Sequence, residues 1–284
     1  MNDNKSPIFT RYLYDKTEVK QSLLLAILEK QQDEALFWTY ELYYSGFNDE
    51  LIHFIWLIYN KIFIFTNKSL NQFIEKNMKL SEENPENGIY IGSIIATFIH
   101  REYNLIPFIE EFFKVKCVKK NIPEQRNRFN INLKETDIIQ YQTTTNICPN
   151  NVLKKMNKYS IRKYANRLFE TELPNQEELN KIYRIHWLYY AYQCPIWKQR
   201  IDKYEVIVDD ERFCIYFKNE NEEEEFYENW GYEPDEQPVE VYISHIGLGN
   251  EYQYNIMDFC KKLNIEIITK KIKLRVNPQQ PQLH

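Results

Sequence analysis

The feature that most restricts the fold is the spacing of apolar residues between residues 17 and 115. They recur at intervals of three and four, the period of a helix with one apolar face, as at Val19, Leu23 and Ile27. Polar or glycine-containing breaks divide the stretch into six helical segments, and short connections between helices favour antiparallel hairpins. The sequence therefore predicts a helical bundle built from three hairpins, with a short helical superhelix as the alternative.

The hairpins are expected to pair the first helix with the second, the third with the fourth, and the fifth with the sixth. Thr17 is the expected N-cap of the first helix, and Gly46 can adopt the left-handed conformation that ends the second. The third helix is apolar on most sides, so we expect it to be the most buried element of this half. The predicted helices run from Thr17 to Gln31, from Asp33 to Tyr43, and over Glu50–Phe65, Ser69–Met78, Ile89–Arg101 and Leu105–Val115.

After Val115 the pattern changes to a connector, two helices and then alternating segments with the period of two typical of strands. The sequence thus predicts a predominantly helical α+β protein, with a helical hairpin bundle over residues 1–115. A smaller α+β region with an antiparallel sheet is expected over residues 116–284. The predicted helices of this region are Ile161–Thr171, Gln176–Gln193 and Met257–Leu263, and the predicted strands are Asp137–Thr143, Tyr204–Val208, Arg212–Lys218, Val239–Ser244 and Ile265–Val276.

Composition places the chain among globular proteins. Hydrophobic residues make up 43% and charged residues 27% of it, which argues against a disordered or collagen-like chain. The 34 Ile, 28 Asn and 26 Lys against 5 Ala indicate AT-rich codon usage. No apolar run is long enough for a bilayer span, no signal peptide is evident, and the five cysteines are widely spaced. We therefore expect a soluble cytoplasmic protein with reduced thiols and no membrane partner.

The net charge of −5 conceals two strongly charged segments. Residues 114–167 contain 13 lysines and arginines against 3 acidic residues, a net charge of +10. Residues 204–258 contain 2 lysines and arginines against 16 acidic residues, a net charge of −14. These segments can bind outside partners, or they can dock on each other within a chain or head to tail between two copies.

Each charged segment supplies a candidate binding surface. A basic face with nearby aromatic residues can bind phosphate backbones without sequence preference, and aromatic residues mixed with acids are typical of contact surfaces. The basic candidates for nucleic-acid or partner binding are Lys114, Lys116, Lys119, Lys120, Arg126, Arg128, Lys154, Lys155, Lys158, Arg162, Lys163 and Arg167. The acidic and aromatic candidates are Glu222, Glu223, Glu224, Glu225, Tyr227, Trp230 and Tyr232.

Recognised catalytic and cofactor motifs are missing from the sequence. The glycine-containing stretches Gly88–Ser93 and Gly247–Gly249 lack the lysine of a phosphate-binding loop. No close pair of Cys or His residues suggests a zinc site, and neither a Gly-x-Ser-x-Gly elbow nor a His-Glu-x-x-His motif occurs. The acidic runs Asp209–Glu211 and Glu222–Glu225 could offer oxygen ligands to Mg²⁺ or Ca²⁺, but consecutive carboxylates point in different directions, which favours a solvated face. We predict no catalytic residue, metal ligand or cofactor.

Two stretches resemble known sequences. Ser22–Leu28 followed by Asp33–Phe47, together with Phe226–Gln237, is similar to uncharacterised proteins of the large nucleocytoplasmic DNA viruses. The resemblance implies a viral protein in the infected cytoplasm, its virus factory or the virion, and it implies no mechanism because that group has no assigned activity. The first stretch is also similar to the helical collar of clamp-loader-like ATPases, although the ATPase motifs are absent here.

Three functions follow from these observations, in order of preference. The first is a non-catalytic interaction or assembly protein that acts through segregated basic and acidic surfaces, by self-association or by binding a protein partner. The second is a nucleic-acid-binding accessory factor that uses residues 114–167. The third is an enzyme whose active site has no recognisable motif.

Overall fold

The fold is predominantly helical with one small antiparallel sheet, as the sequence predicts. A computed structural model describes residues 6–118, 129–142, 147–162, 175–248 and 256–268. The helices are α1 (Lys16–Leu28), α2 (Gln32–Tyr43), α3 (Asn48–Ile58), α4 (Leu70–Glu83), α5 (Ile89–Ile99), α6 (Ile106–Phe112), α7 (Glu135–Ile138), α8 (Val152–Met156), α9 (Gln176–Ile185), α10 (Trp187–Ala191), α11 (Pro195–Ile201), α12 (Glu220–Trp230), α13 (Val239–Ile246) and α14 (Ile256–Lys262). The strands are β1 (Val206–Asp209) and β2 (Cys214–Phe217).

The first half is built around α2. The predicted pairing of α1 with α2 is confirmed, but α4 packs on α5 rather than on α3, and α5 packs on α2. Gly92 permits this second contact, since a Cβ atom there would lie 2.0 Å from Tyr40 Oη. Surrounded in this way, α2 is buried on all sides from Ala35 to Tyr43. The expectation that α3 would be the most buried helix is therefore wrong, and its Leu57 is exposed.

The ends of these helices depend on local capping groups. Asp15, not Thr17, caps α1, because its carboxylate accepts hydrogen bonds from the backbone of Thr17 and Glu18. Gly46 takes the predicted left-handed conformation after α2, with φ of 88°. The predicted third helix is α3 followed by a π-helical turn, Tyr59–Phe63. Helix α4 extends to Glu83, five residues beyond the predicted end at Met78.

The second half differs from the sequence prediction at several points. A short helix and a 3₁₀ turn (Ile139–Tyr141) replace the predicted strand near Asp137. The predicted strand Val239–Ser244 is the helix α13, because its alternation is too short to exclude a helix and α9 packs beside it. The predicted helix Gln176–Gln193 breaks at His186, between α9 and α10. Most of the predicted helix Ile161–Thr171, and the predicted last strand beyond Ile268, lie outside the described residues.

One hydrophobic cluster extends through the described chain from Phe9 to Cys260, and the segment of residues 8–15 lies within it. Phe9 contacts the rings of Tyr183 and Tyr190, while Tyr14 contacts Trp38 at 5.1 Å between ring centroids. This N-terminal segment therefore touches both α2 and the α9–α10 region. The division at residue 115 stays a prediction, and these contacts join the parts on either side of it.

A buried ion pair holds the N-terminal segment in place. Arg11 Nε donates to Glu41 Oε2 at 3.0 Å, and both side chains are almost completely removed from solvent. Glu41 Oε1 also accepts from the backbone of Tyr12, and Arg11 Nη2 donates to the Tyr141 carbonyl at 2.8 Å. Because buried charges are costly unless they are paired and hydrogen-bonded, this geometry fixes the position of the segment on α2.

Within the described residues, no helix is long and apolar enough to cross a membrane.

Replacing Glu41 with glutamine should destabilise the protein by about 3–5 kcal/mol, because Arg11 would keep its charge in the core without a carboxylate partner. The double variant Arg11→Met with Glu41→Gln should recover most of that loss. Urea denaturation of the three proteins measures the effect. Glu83→Gln, which breaks an exposed pair with Lys79 on α4, is the control and should leave the midpoint unchanged. A double variant no more stable than Glu41→Gln would contradict this account of the pair.

Candidate functional site

The β1–β2 hairpin and α12 form one exposed surface, which we call the hairpin–α12 surface. The hairpin turn is set by Asp209, whose Oδ1 accepts from the backbone of Glu211 at 3.1 Å and of Arg212 at 2.9 Å. Phe213 completes the turn with a φ of 55°. The strands then pair in antiparallel register, with Ile207 opposite Tyr216.

The two faces of this hairpin have different environments. Val206 and Phe217 share the inner face, where Phe217 packs on the buried Phe226 of α12 at 5.0 Å between ring centroids. Ile207 and Tyr216 share the outer face and are 53% and 44% exposed. A cross-strand apolar pair normally stabilises a sheet through contacts on its own face. Here it presents apolar surface to solvent, as binding sites do.

No described strand pairs with the outer edge of β1. The Lys218 amide donates to the Glu205 carbonyl, so the alternation of an antiparallel pair also directs the backbone groups of Ile207 toward β2. The backbone groups of Val206 and Val208 then point the other way. No backbone hydrogen bond among the described residues uses them, and β2, in contrast, packs beside α10 and α12. An unpaired edge of this kind is a template for another strand.

Helix α12 adds a concentrated negative charge to this surface. Asn219 caps it by accepting from the Asn221 amide, and the acidic residues of its first turn interact favourably with the helix dipole. Glu224, Glu225 and Glu228 lie beyond that turn and gain little from the dipole. None of the ion pairs between described residues includes a glutamate of α12. The helix thus presents acidic side chains that have no cationic partner in the described part of the chain.

The predicted acidic and aromatic surface is partly corrected by the structure. Glu223, Glu224 and Glu225 are exposed, and Glu222 is half-buried because its carboxylate accepts from the Glu205 amide. Tyr232 is 2% exposed and packs on Trp197, so it belongs to the core. These four glutamates, with Tyr227, form part of the surface.

The aromatic members of that set differ in the same way. Tyr227 is exposed at the edge of the Phe217 and Phe226 cluster. Trp230 is half-buried, with the Arg200 guanidinium 3.9 Å from its ring centroid. Trp230 therefore contributes to internal packing through a cation–π contact.

Apart from Arg162, the described basic candidates lie in two separate places. Lys114 and Lys116 follow α6, and Lys116 lies 3.9 Å from Glu110. Lys154, Lys155 and Lys158 are exposed on and just after α8. Lys119, Lys120, Arg126, Arg128, Lys163 and Arg167 lie outside the described residues.

Arg162 has an internal role. Its guanidinium pairs with Glu29 at 2.6 Å and with Glu34, and its backbone amide donates to Ser22 Oγ. The side chain is only 20% exposed. The carboxylates raise the pKa of Arg162, while burial opposes them. Arg162 and Lys116 thus find acidic partners in the helical half of the chain rather than in the acidic segment.

Cys214 and His186 are the nearest approach to a nucleophile and base. Cys214 Sγ lies 3.9 Å from His186 Nδ1, but this nitrogen is also 3.1 Å from the Phe213 carbonyl oxygen. A carbonyl oxygen only accepts, so Nδ1 carries the proton and cannot accept one from the thiol. The pair does not have the arrangement of an activated nucleophile.

His245 is a buried histidine whose burial no sequence pattern indicated. Its Nδ1 lies 2.9 Å from Tyr183 Oη, and its ring lies 4.0 Å from that of Tyr14 between centroids. Nε2 has no hydrogen-bond partner among the described residues. Burial lowers the pKa of His245 to about 3, so the ring is neutral in the folded protein. The side chain is inaccessible, which gives it a structural rather than a catalytic position.

Other sites are shallow or lack the groups that a ligand needs. Among the described residues, no cluster of three or more His, Cys, Asp or Glu side chains could hold a metal ion. One cavity of about 310 Å³ lies between α4, α5 and the segment near Leu133. Another of about 640 Å³ borders α9 and Asp235. Neither contains a buried cluster of convergent charged groups of the kind that fixes a small ligand.

Comparison with known proteins finds no matching family model, no matching curated protein and no matching solved structure. The hairpin–α12 surface therefore stands on its geometry and charge. Sequence reasoning identified its glutamates but not its open edge, because the alternation of a strand does not show which of its edges is paired. The exposure of Ile207 and Tyr216 was not predicted, although the alternation of the two strands places both residues on one face.

His245 generates a prediction about acid stability. Its pKa is about 3 in the folded protein and about 6.5 in an unfolded chain, so between these values the unfolded state binds a proton that the folded state excludes. The free energy of unfolding therefore falls as the pH drops through this window. His245→Gln should flatten the fall by up to about 1.4 kcal/mol per pH unit, measured by denaturation across the window.

Tyr183→Phe is the matched control, because it removes the hydroxyl beside His245 but keeps the ring buried. Its slope should equal that of the unchanged protein, although its overall stability will be lower. A His245→Gln protein whose stability falls with acid as steeply as the unchanged protein would show that His245 does not control this dependence.

Proposed function

We propose that this protein is a non-catalytic interaction or assembly component that binds a basic, partly apolar segment on its hairpin–α12 surface. The observation that carries the proposal is the juxtaposition, within the described residues, of an unpaired strand edge, an exposed apolar pair and glutamates that form no ion pair. Each of these is unfavourable or neutral for an isolated monomer, and together they match the centre and rim of a protein interface.

The chemistry of the surface defines the kind of partner. A segment that adds to β1 would form backbone hydrogen bonds with Val206 and Val208, whose outward groups are unused among the described residues. Apolar side chains on its outer face would cover Ile207 and Tyr216, which removes apolar area from water. Basic side chains would approach the α12 glutamates and accelerate association at low salt. A setting in the cytoplasm, a virus factory or a virion belongs to the same proposal.

A short fluorescein-labelled peptide of alternating lysine and valine tests this surface by fluorescence anisotropy. It should bind the full chain, and binding should weaken between about 0.05 M and about 0.5 M salt as the charges are screened. Glu223→Gln with Glu224→Gln and Glu225→Gln should weaken binding by at least about tenfold at low salt. Ile207→Thr with Tyr216→Thr should weaken it at both salt concentrations, because it removes apolar area.

Two comparisons make this result specific. Glu82→Gln with Glu83→Gln removes two exposed glutamates from α4 and should leave binding unchanged. A peptide of alternating glutamate and valine should not bind. If the lysine peptide fails to bind, or binds all variants equally, the hairpin–α12 surface does not have the proposed function.

Nucleic-acid binding is the second candidate, and the exposure of Lys154, Lys155 and Lys158 favours it. These lysines have no ion-pair partner among the described residues. If they contact phosphates, the chain should shift labelled single- or double-stranded DNA or RNA in a gel at low salt but not at high salt. Replacing all three with glutamine should weaken the shift, whereas Lys76→Gln with Lys79→Gln on α4 should not. The absence of any salt-sensitive shift would refute this candidate.

A further inference from the structure

One segment near residue 270 has a sequence that matches the charge and the apolar residues of the hairpin–α12 surface. Residues 270–276 read Lys-Lys-Ile-Lys-Leu-Arg-Val, with four basic residues and three aliphatic ones. In an extended strand, Ile272, Leu274 and Val276 would lie on one face and Lys271, Lys273 and Arg275 on the other. We propose that this segment of one copy adds as a strand to the open edge of β1 in a second copy, so that the chain assembles head to tail.

The proposal rests on the proposed function and names the partner as a second copy of this chain. Its first support is the match between the two faces. If the aliphatic residues lie beside Ile207 and Tyr216 on the outer face, the basic residues lie on the inner face. The inner face is the one that packs on α12, through the contact of Phe217 with Phe226. One orientation therefore satisfies both the apolar pair and the glutamates.

The second support is where the fold places α14, which precedes the basic segment, and α11, which precedes β1. Helix α14 is tied to the end of α1 by the contact of Lys262 with Glu29 at 2.5 Å. Helix α11, which leads into β1, is bonded to Ser45 beyond the opposite end of α2, through the Ile196 amide. Helix α2 has 12 residues and is therefore about 18 Å long.

The last described residue before the basic segment is Ile268. The Ile268 amide donates to the Lys116 carbonyl at 2.7 Å, which holds this residue beside the end of α6. Pairing with β1 of the same copy would leave the average mass independent of protein concentration, so the measurement below separates it from pairing between copies.

This mode of association joins two different surfaces, so each copy keeps one free binding surface and one free segment. A contact of this kind is heterologous and produces rings or open chains instead of a closed symmetric dimer. The assembly should grow with protein concentration. It should also shrink with salt, since its charges are exposed at the rim.

Multi-angle light scattering of the full chain tests the proposal. The average mass should rise with concentration at low salt and fall at high salt. Lys271→Glu with Lys273→Glu and Arg275→Glu should reduce association at low salt by at least about tenfold, and Glu223→Lys with Glu224→Lys and Glu225→Lys should do the same. A chain that carries all six substitutions should associate again, because the segment is then acidic and the α12 surface is basic. Circular dichroism melting checks that each variant is folded.

The outcomes separate this inference from the proposed function. If the alternating lysine peptide binds the surface but the chain stays monomeric, the surface has another partner and the head-to-tail inference is wrong. If the chain associates but the combined variant does not recover, the segment does not contact α12. If neither the peptide nor the chain binds, both proposals fail. Val208→Pro removes an outward amide of β1. It should reduce association while the monomer stays folded.

Discussion

The ion pair between Arg11 and Glu41 is the interaction on which the rest of the fold depends. Two opposite charges lie in an apolar core, and further hydrogen bonds join Glu41 to the Tyr12 amide and Arg11 to the Tyr141 carbonyl. This arrangement is favourable only in one geometry, so it specifies how the N-terminal segment sits on α2. From that position Phe9 and the Thr10 carbonyl contact Tyr183 and Trp197, which belong to the second half.

The hairpin–α12 surface stays exposed because of the way the aromatic residues of the second half pack. The aromatic residues of α9 to α12 are used against the N-terminal segment and against the inner face of the hairpin, as Trp197 and Phe226 show. A sheet of two strands has one inner face to bury, so its outer pair and one edge remain. The glutamates of α12 then keep this apolar area soluble in the monomer while they favour a basic partner.

The sequence predicted the fold class, the first helical hairpin and the two strands, because helical and strand periods are local. The predictions failed where tertiary contacts determine the secondary structure or the burial of a segment. Val239–Ser244 alternates like a strand but is helical beside α9, and α3 is more exposed than α2 despite its apolar composition. At the site, the charge of α12 was predictable from composition. The burial of Tyr232 and the internal pairing of Arg162 were not, because they depend on neighbours far away in the chain.

The measurement that tests the central claim most directly is hydrogen exchange of the Val206 and Val208 amides. If β1 pairs with a partner strand, these amides are open in the monomer and covered in the assembly. They should exchange fast in dilute protein, slow down as the concentration is raised at low salt, and become fast again at high salt. Equal exchange under all three conditions would contradict the account, because it would mean that no partner strand pairs with this edge.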